Sequence, residues 1–175
     1  AAVESGDVEA QQRMVDEAAK KAGFKVTAFR KDNVDGIEVY DPSKTSYGAV
    51  YFSEQEKTAE RFGGVLRPVN KFYLKLKNAA TKEDTARGSS SDLTAEEVGA
   101  LVEQGFDSVR GDVRNVKGAT EIAVFNPNQI KSAEPVTKDE SGAVIPLSQR
   151  FNEKKSNILY SAPVGNTTAE IPPEI

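Results

Sequence analysis

Glu121-Ile122-Ala123-Val124-Phe125-Asn126-Pro127-Asn128-Gln129-Ile130 puts a carboxylate, four apolar residues and a turn into one run. The apolar residues 122–125 predict a short buried strand over 121–125. Asn126-Pro127-Asn128 closes it, because Asn favours turns and Pro cannot donate to a ladder. The single charge of the strand stands at its entrance.

Working upstream, Gly105-Phe106-Asp107-Ser108-Val109 predicts another strand, joined to 121–125 by a polar, hairpin-like loop over 111–120. Before it, Asp92 or Thr94 caps a helix that runs to Gln104, with Leu93, Val98, Leu101 and Val102 as its apolar set. A polar loop over 79–91 ends in three serines. In 68–77 the second half alternates. Phe72, Leu74 and Leu76 fall on one face, and Lys71, Tyr73, Lys75 and Lys77 on the other, which predicts a strand with one wet face. Residues 53–62 predict a helix with Ser53 and Glu56 as a capping box and Gly63-Gly64 as its stop. Residues 48–52 predict a strand, 30–46 a loop that contains a short Ile37–Tyr40 strand, 24–29 a strand, and 8–22 a helix. That helix has Val8, Met14, Val15, Ala18 and Ala22 near one face.

Downstream, 131–160 holds Val136, Val144, Ile145, Leu147, Phe151, Ile158 and Leu159. These are too few for a core of their own, so the segment is expected to wrap the domain. Residues 1–160 are thus expected to form one domain, and 161–175 a flexible C-terminal tail. Short strands alternating with helices argue for an α/β (α+β) fold. No G-x-G-x-x-G follows a strand and no G-x-x-x-x-G-K-[ST] occurs, so neither nucleotide-binding fingerprint is present.

Composition restricts the chemistry. With no Cys and no His among 175 residues, the chain has no thiolate nucleophile, no Cys- or His-ligated zinc and no Ser-His or Cys-His pair. Chemistry falls to carboxylates, Tyr, Ser, Thr, Arg and Lys, and no metal is expected. A net charge of −4 gives no overall field for nucleic acid, and the Lys71, Lys75, Lys77 cluster reads as a solvated face. No apolar run is long enough to span a bilayer. The chain begins at Ala1 without a signal pattern and is expected to be a fragment or a processed product, cytoplasmic by default.

Three segments, in order, resemble the motif blocks of the ADP-ribosyltransferase superfamily, in the branch embedded in polyvalent proteins of phages and mobile elements. Lys25-Val26-Thr27-Ala28-Phe29-Arg30 stands where the family carries a strand ending in Tyr-His-Gly-Thr. Tyr47-Gly48-Ala49-Val50-Tyr51-Phe52-Ser53, with Thr58-Ala59 and Phe62 behind it, resembles the glycine-aromatic strand and its helix. Glu121–Ile130 resembles the strand that a glutamate opens. Tyr73–Asn78, Gly105-Phe106-Asp107, Gln129–Ala133 and Ile145–Phe151 resemble the connecting and tail pieces, so the likeness covers roughly residues 1–160. The first motif diverges: Arg30, Lys31 and Asp32 replace His-Gly-Thr.

The resemblance implies a mixed, bent pair of sheets around a cleft for NAD, with helices outside. It implies cleavage of the nicotinamide–ribose bond through a cationic, oxocarbenium-like sugar, the electronic problem that a glycosidase faces. Glu121 would be the catalytic carboxylate. Arg30 would hold ribose or diphosphate, Tyr51 and Phe62 would wall the nicotinamide, and Ser53 or Thr58 would bond the dinucleotide. Gln129 would orient an acceptor. Each has a plainer alternative: Glu121 a solvated strand entry, Tyr51 a core tyrosine, Phe62 a core-facing helix end, Arg30 a surface arginine, Ser53 a helix cap, Gln129 a turn amide. The function implied is NAD-dependent mono-ADP-ribosylation of a host macromolecule. NAD glycohydrolysis on the same scaffold, or a binding module that has lost the chemistry, are the alternatives.

Overall fold

A computed structural model describes residues 7–113 and 115–159. The expected tail 161–175 lies outside the described residues. The elements are α1 (Val8–Lys21), β1 (Val26–Lys31), β2 (Val50–Ser53), α2 (Glu56–Ala59), β3 (Val69–Leu74), β4 (Ala79–Ala80), α3 (Ala95–Glu103), β5 (Ser108–Asp112), β6 (Thr120–Val124) and β7 (Ile130–Ser132). The strands form one seven-stranded ladder in the order β4-β5-β6-β2-β1-β3-β7, antiparallel except for β4–β5. This is a mixed α/β fold.

The ladder has two halves. β1 and β3 pair over six positions and β2 and β6 over four, but β1 and β2 share the single pair Phe29↔Ser53. The expected pair of sheets is therefore two half-sheets joined at a seam. Period-two alternation sorts the core. Ala28, Phe52, Phe72, Leu74, Ile122, Val124 and Ile130 build a shared core on one face, which Tyr40 and Ile158 complete. On the other face α3 covers one half through Leu93, Val98, Leu101, Val109 and Ala123. α1 covers the other half through Val15, Ala19, Phe24 and Tyr73, joined by Ala133, Leu147 and Phe151.

Several local expectations change. α1 buries Gln11, Val15 and Ala19, an i, i+4, i+8 stripe, while Val8 and Met14 are 61% and 45% exposed. The contact that α1 needs is with Tyr73, and the stripe through Val15 delivers it. The supposed wet face of β3 is covered for the same reason: Tyr73 is buried under α1 and Phe151, and its hydroxyl bonds Asp16. Lys75 and Lys77 both pair with Glu153, at 2.7 and 3.1 Å, and Lys71 lies 3.9 Å from Asp16. Ile37–Tyr40 forms no strand; the Glu38 carbonyl accepts one bond from the Ile158 amide at 2.7 Å, and Tyr40 turns into the core. Val102 is half exposed.

The helix expected over 53–62 shrinks to α2, because Ser53 is held in β2 opposite Glu121. Thr94, not Asp92, caps α3, with Glu97 completing its capping box. Gly63 ends the turn after α2 with φ +78°; a Cβ there would meet the Lys31 carbonyl oxygen at 2.4 Å, so only glycine lets the chain pass β1.

Candidate functional site

The seam between β1 and β2 opens into a cleft of about 440 Å³. Arg30, Tyr51, Ser53, Phe62 and Glu121 all line it, joined by Asp32, Tyr47, Phe52 and Asp92. Register explains the convergence on one side: Ser53 lies opposite Glu121 and Tyr51 opposite Ala123, so alternation directs Tyr51, Ser53 and Glu121 to the face that α3 covers.

Arg30 reaches the cleft differently. It leaves β1 on the opposite face, where its guanidinium lies 5.4 Å from the Tyr40 ring centroid and 6.0 Å from that of Phe52. Its Nη1 donates to the Tyr51 carbonyl at 2.8 Å, and its Nε to Asp32 Oδ1 at 2.6 Å. The Tyr40 hydroxyl donates to Asp32 Oδ2 at 2.5 Å, so both oxygens of this buried carboxylate are satisfied. Burial and the adjoining Asp32 charge push the Tyr40 hydroxyl up from its ordinary range.

Glu121 is partly buried, and Ser91 Oγ donates to its Oε1 at 2.9 Å. Burial raises its carboxyl above the usual glutamate value; the Ser91 bond opposes the shift and the Asp92 charge adds to it. It is not the solvated strand entry of the plainer reading. The Tyr51 hydroxyl accepts from the Leu93 amide at 3.0 Å, and its ring meets that of Tyr47 edge-on at 5.8 Å. Burial raises its hydroxyl above the ordinary tyrosine range. Phe62 is half exposed at the rim rather than core-facing. Ser53 is buried; its hydroxyl donates to the Thr120 carbonyl at 3.3 Å and accepts from the Gln55 amide at 3.1 Å, a turn bond and not a helix cap.

Two candidates lie elsewhere. Thr58 is buried on α2 and does not line the cleft. Gln129 sits in the turn after β6, where its amide donates to the Lys75 carbonyl and its oxygen accepts from the Asn126 amide, both at 3.0 Å. The structure adds Asp32, Tyr40, Ser91 and Asp92. Their sequence signal was faint: a lone Asp after Arg30 and the end of a serine run. Among the described residues no group of three or more His, Cys, Asp or Glu is arranged to hold a metal, and no helix is long and apolar enough to cross a membrane.

Chemically, the cleft offers aromatic walls, an anchored guanidinium and a carboxylate braced by a hydroxyl. Such a volume with few convergent polar groups suits a small-molecule ligand. No curated protein and no solved structure matches the chain significantly. The family model described as ADP-ribosyltransferase in polyvalent proteins matches residues 25–139, a span that holds every cleft residue named above. The chain belongs to the family of ADP-ribosyltransferases found in polyvalent proteins.

Proposed function

We propose that this domain is an NAD-dependent mono-ADP-ribosyltransferase that modifies a host macromolecule, acting in the cytoplasm as part of a larger phage or mobile-element protein. The observation that carries the reading is the meeting of Arg30, Tyr51 and Glu121, from three separate motifs, in one cleft. NAD is the substrate, and the residues present suit it. The Arg30 guanidinium, anchored at the cleft wall, matches an anionic diphosphate or ribose hydroxyls. Tyr51, Tyr47 and Phe62 offer ring faces to a flat pyridinium. The Glu121 carboxylate offers acceptor oxygens to the ribose and negative charge to the sugar cation that forms as nicotinamide departs.

No metal has a part in this scheme, and neither nucleic acid nor a membrane is proposed as partner. The domain is proposed to run to residue 160; Ala133, Phe151 and Ile158 support this by packing into the same clusters as the strands.

The test is nicotinamide release from NAD, with and without a host extract, by wild type and by Glu121→Gln. Release that depends on Glu121 supports the reading, and label retained on extract macromolecules separates transfer from glycohydrolysis. Binding of NAD without any release would favour the module that lost its chemistry, the outcome to which the replaced His-Gly-Thr block points.

A further inference from the structure

Residues 91–93 are pinned between two residues of the cleft. The Ser91 hydroxyl donates to Glu121 at 2.9 Å, and the Leu93 amide donates to the Tyr51 hydroxyl at 3.0 Å. Asp92, between them, adopts φ +57°, left-handed backbone that non-glycine residues seldom occupy and that aspartate tolerates better than most. Strained conformations persist where surrounding contacts over-determine them, and they concentrate at functional sites.

Asp92 has no ordinary structural task. Thr94 caps α3 instead. The Asp92 side chain is exposed and makes no hydrogen bond or ion pair among the described residues. It lines the cleft and also a second cavity of about 520 Å³, bounded by Arg87, Ser89, Ser90, Asp112 and Asn115; Asp92 and Val113 are common to both. A carboxylate with no hydrogen-bond or ion-pair partner among the described residues thus stands where two cavities meet, next to the residue that contacts Glu121.

We propose that Asp92 is a further catalytic residue, the base that takes a proton from an acceptor entering through the second cavity. The proposal rests on the transferase reading above. The bond between ribose C1′ and the nicotinamide nitrogen breaks, and its electron pair stays on that nitrogen and cancels the pyridinium charge. A lone pair of the acceptor atom forms the new bond to C1′, and the proton of that atom passes to the Asp92 carboxylate and then to water. Nothing is oxidised or reduced. The acceptor class is a nucleophile that carries a proton, not a carboxylate, which would need no base.

The experiment uses the full chain, NAD, and water as the probe nucleophile. Asp92→Asn keeps the size and the left-handed tolerance of the residue but not its basicity. It should slow nicotinamide release by about a hundredfold or more while NAD affinity stays within about twofold, since this carboxylate acts on the acceptor and not on bound NAD. Asp92→Gly removes the backbone strain and opens space. Sodium azide, which has no proton to lose, should restore release in Asp92→Gly and give ADP-ribosyl azide, yet leave Glu121→Gln slow. Wild-type rates in Asp92→Asn would overturn the proposal and leave the transferase reading intact. So would an Asp92→Gly defect that azide does not relieve. A wild type that releases no nicotinamide either in water or with host extract would overturn the transferase reading and this proposal together.

Discussion

Arg30 Nη1 donates to the Tyr51 carbonyl at 2.8 Å across the seam where β1 and β2 share one register pair. The guanidinium thus stands in for ladder bonds that the two strands do not make, and it does so at the cleft itself. Asp32 and Tyr40 fix its orientation from behind. The divergence of the first motif is therefore organised: Arg30 supplies the cation and Asp32 its counter-charge.

Asp32→Asn tests this arrangement. The Tyr40 hydroxyl can rotate to suit an amide, but Arg30 loses the only carboxylate that it pairs with among the described residues. A loss of about 1–3 kcal/mol in unfolding free energy is expected, the scale for a buried hydrogen-bonded group whose partner is weakened. NAD affinity should fall with it as the guanidinium loosens. Denaturant titration and calorimetric NAD binding check both; a variant as stable and as tight as wild type would make the Asp32 contact incidental.

Glu121→Gln separates binding from rate. The amide preserves size and still accepts from Ser91, so NAD affinity should change little. The charge matters once the sugar becomes cationic, in the transition state and not in bound NAD. Loss of about a hundredfold to a thousandfold in kcat is expected, by analogy with removal of one preorganised electrostatic donor. Tyr51→Ala should instead weaken binding along with rate, because ring contact serves both states. Single-turnover nicotinamide release alongside equilibrium NAD binding distinguishes the two patterns.

Most of the sheet was legible because its strands carry their own signals: Ile122–Val124 is apolar and closed by Asn-Pro-Asn, and residues 71–77 alternate. Where expectation failed, tertiary contacts decided. Alternation located the two faces of β3 but could not reveal that α1 and Phe151 cover Tyr73. The α1 stripe moved because Gln11, a polar residue, is buried in it. In the cleft, Arg30, Tyr51, Ser53 and Glu121 lie on strands with motif context, which brought them into view as candidates. Those on loops, Ser91 and Asp92, were missed, since their places depend on bonds to Glu121 and Tyr51 made across the fold.

Lys131 offers a test of how the segment after β7 is held. It is fully buried, and its ammonium donates to the carbonyls of Lys155 and Asn157, both at 2.8 Å. Burial lowers its pKa from 10.5 to about 8. Between those values the unfolded chain binds more protons at this residue than the folded one, so its contribution makes stability rise with pH across that window. Below about 8 both states hold the proton and the cost of burying the charge is constant. Denaturant midpoints from pH 7.5 to 9.5 should therefore climb more steeply in wild type than in Lys131→Met. Equal slopes would show that the ammonium is better solvated than its burial implies.

The pH dependence of turnover should report Glu121 through Ser91. Because burial is the largest influence on this carboxyl, its pKa in the fold lies above that of an ordinary glutamate. If the ionised form is the one that stabilises the sugar cation, activity falls as pH drops through that raised value, so the acid limb should lie at higher pH than a solvated glutamate would give. For stability the sign is opposite: a carboxyl with a raised pKa in the fold favours folding most when protonated, and that contribution is lost as pH rises through the folded value. Ser91→Ala sharpens the test. The Ser91 hydroxyl donates to the carboxylate and lowers its pKa, so its removal leaves burial and the Asp92 charge less opposed. The acid limb of kcat should then move further up in pH, while the rate on the plateau changes less than in Glu121→Gln. A limb that stays in place, or moves down, would mean that a group other than Glu121 sets the acid side of the profile.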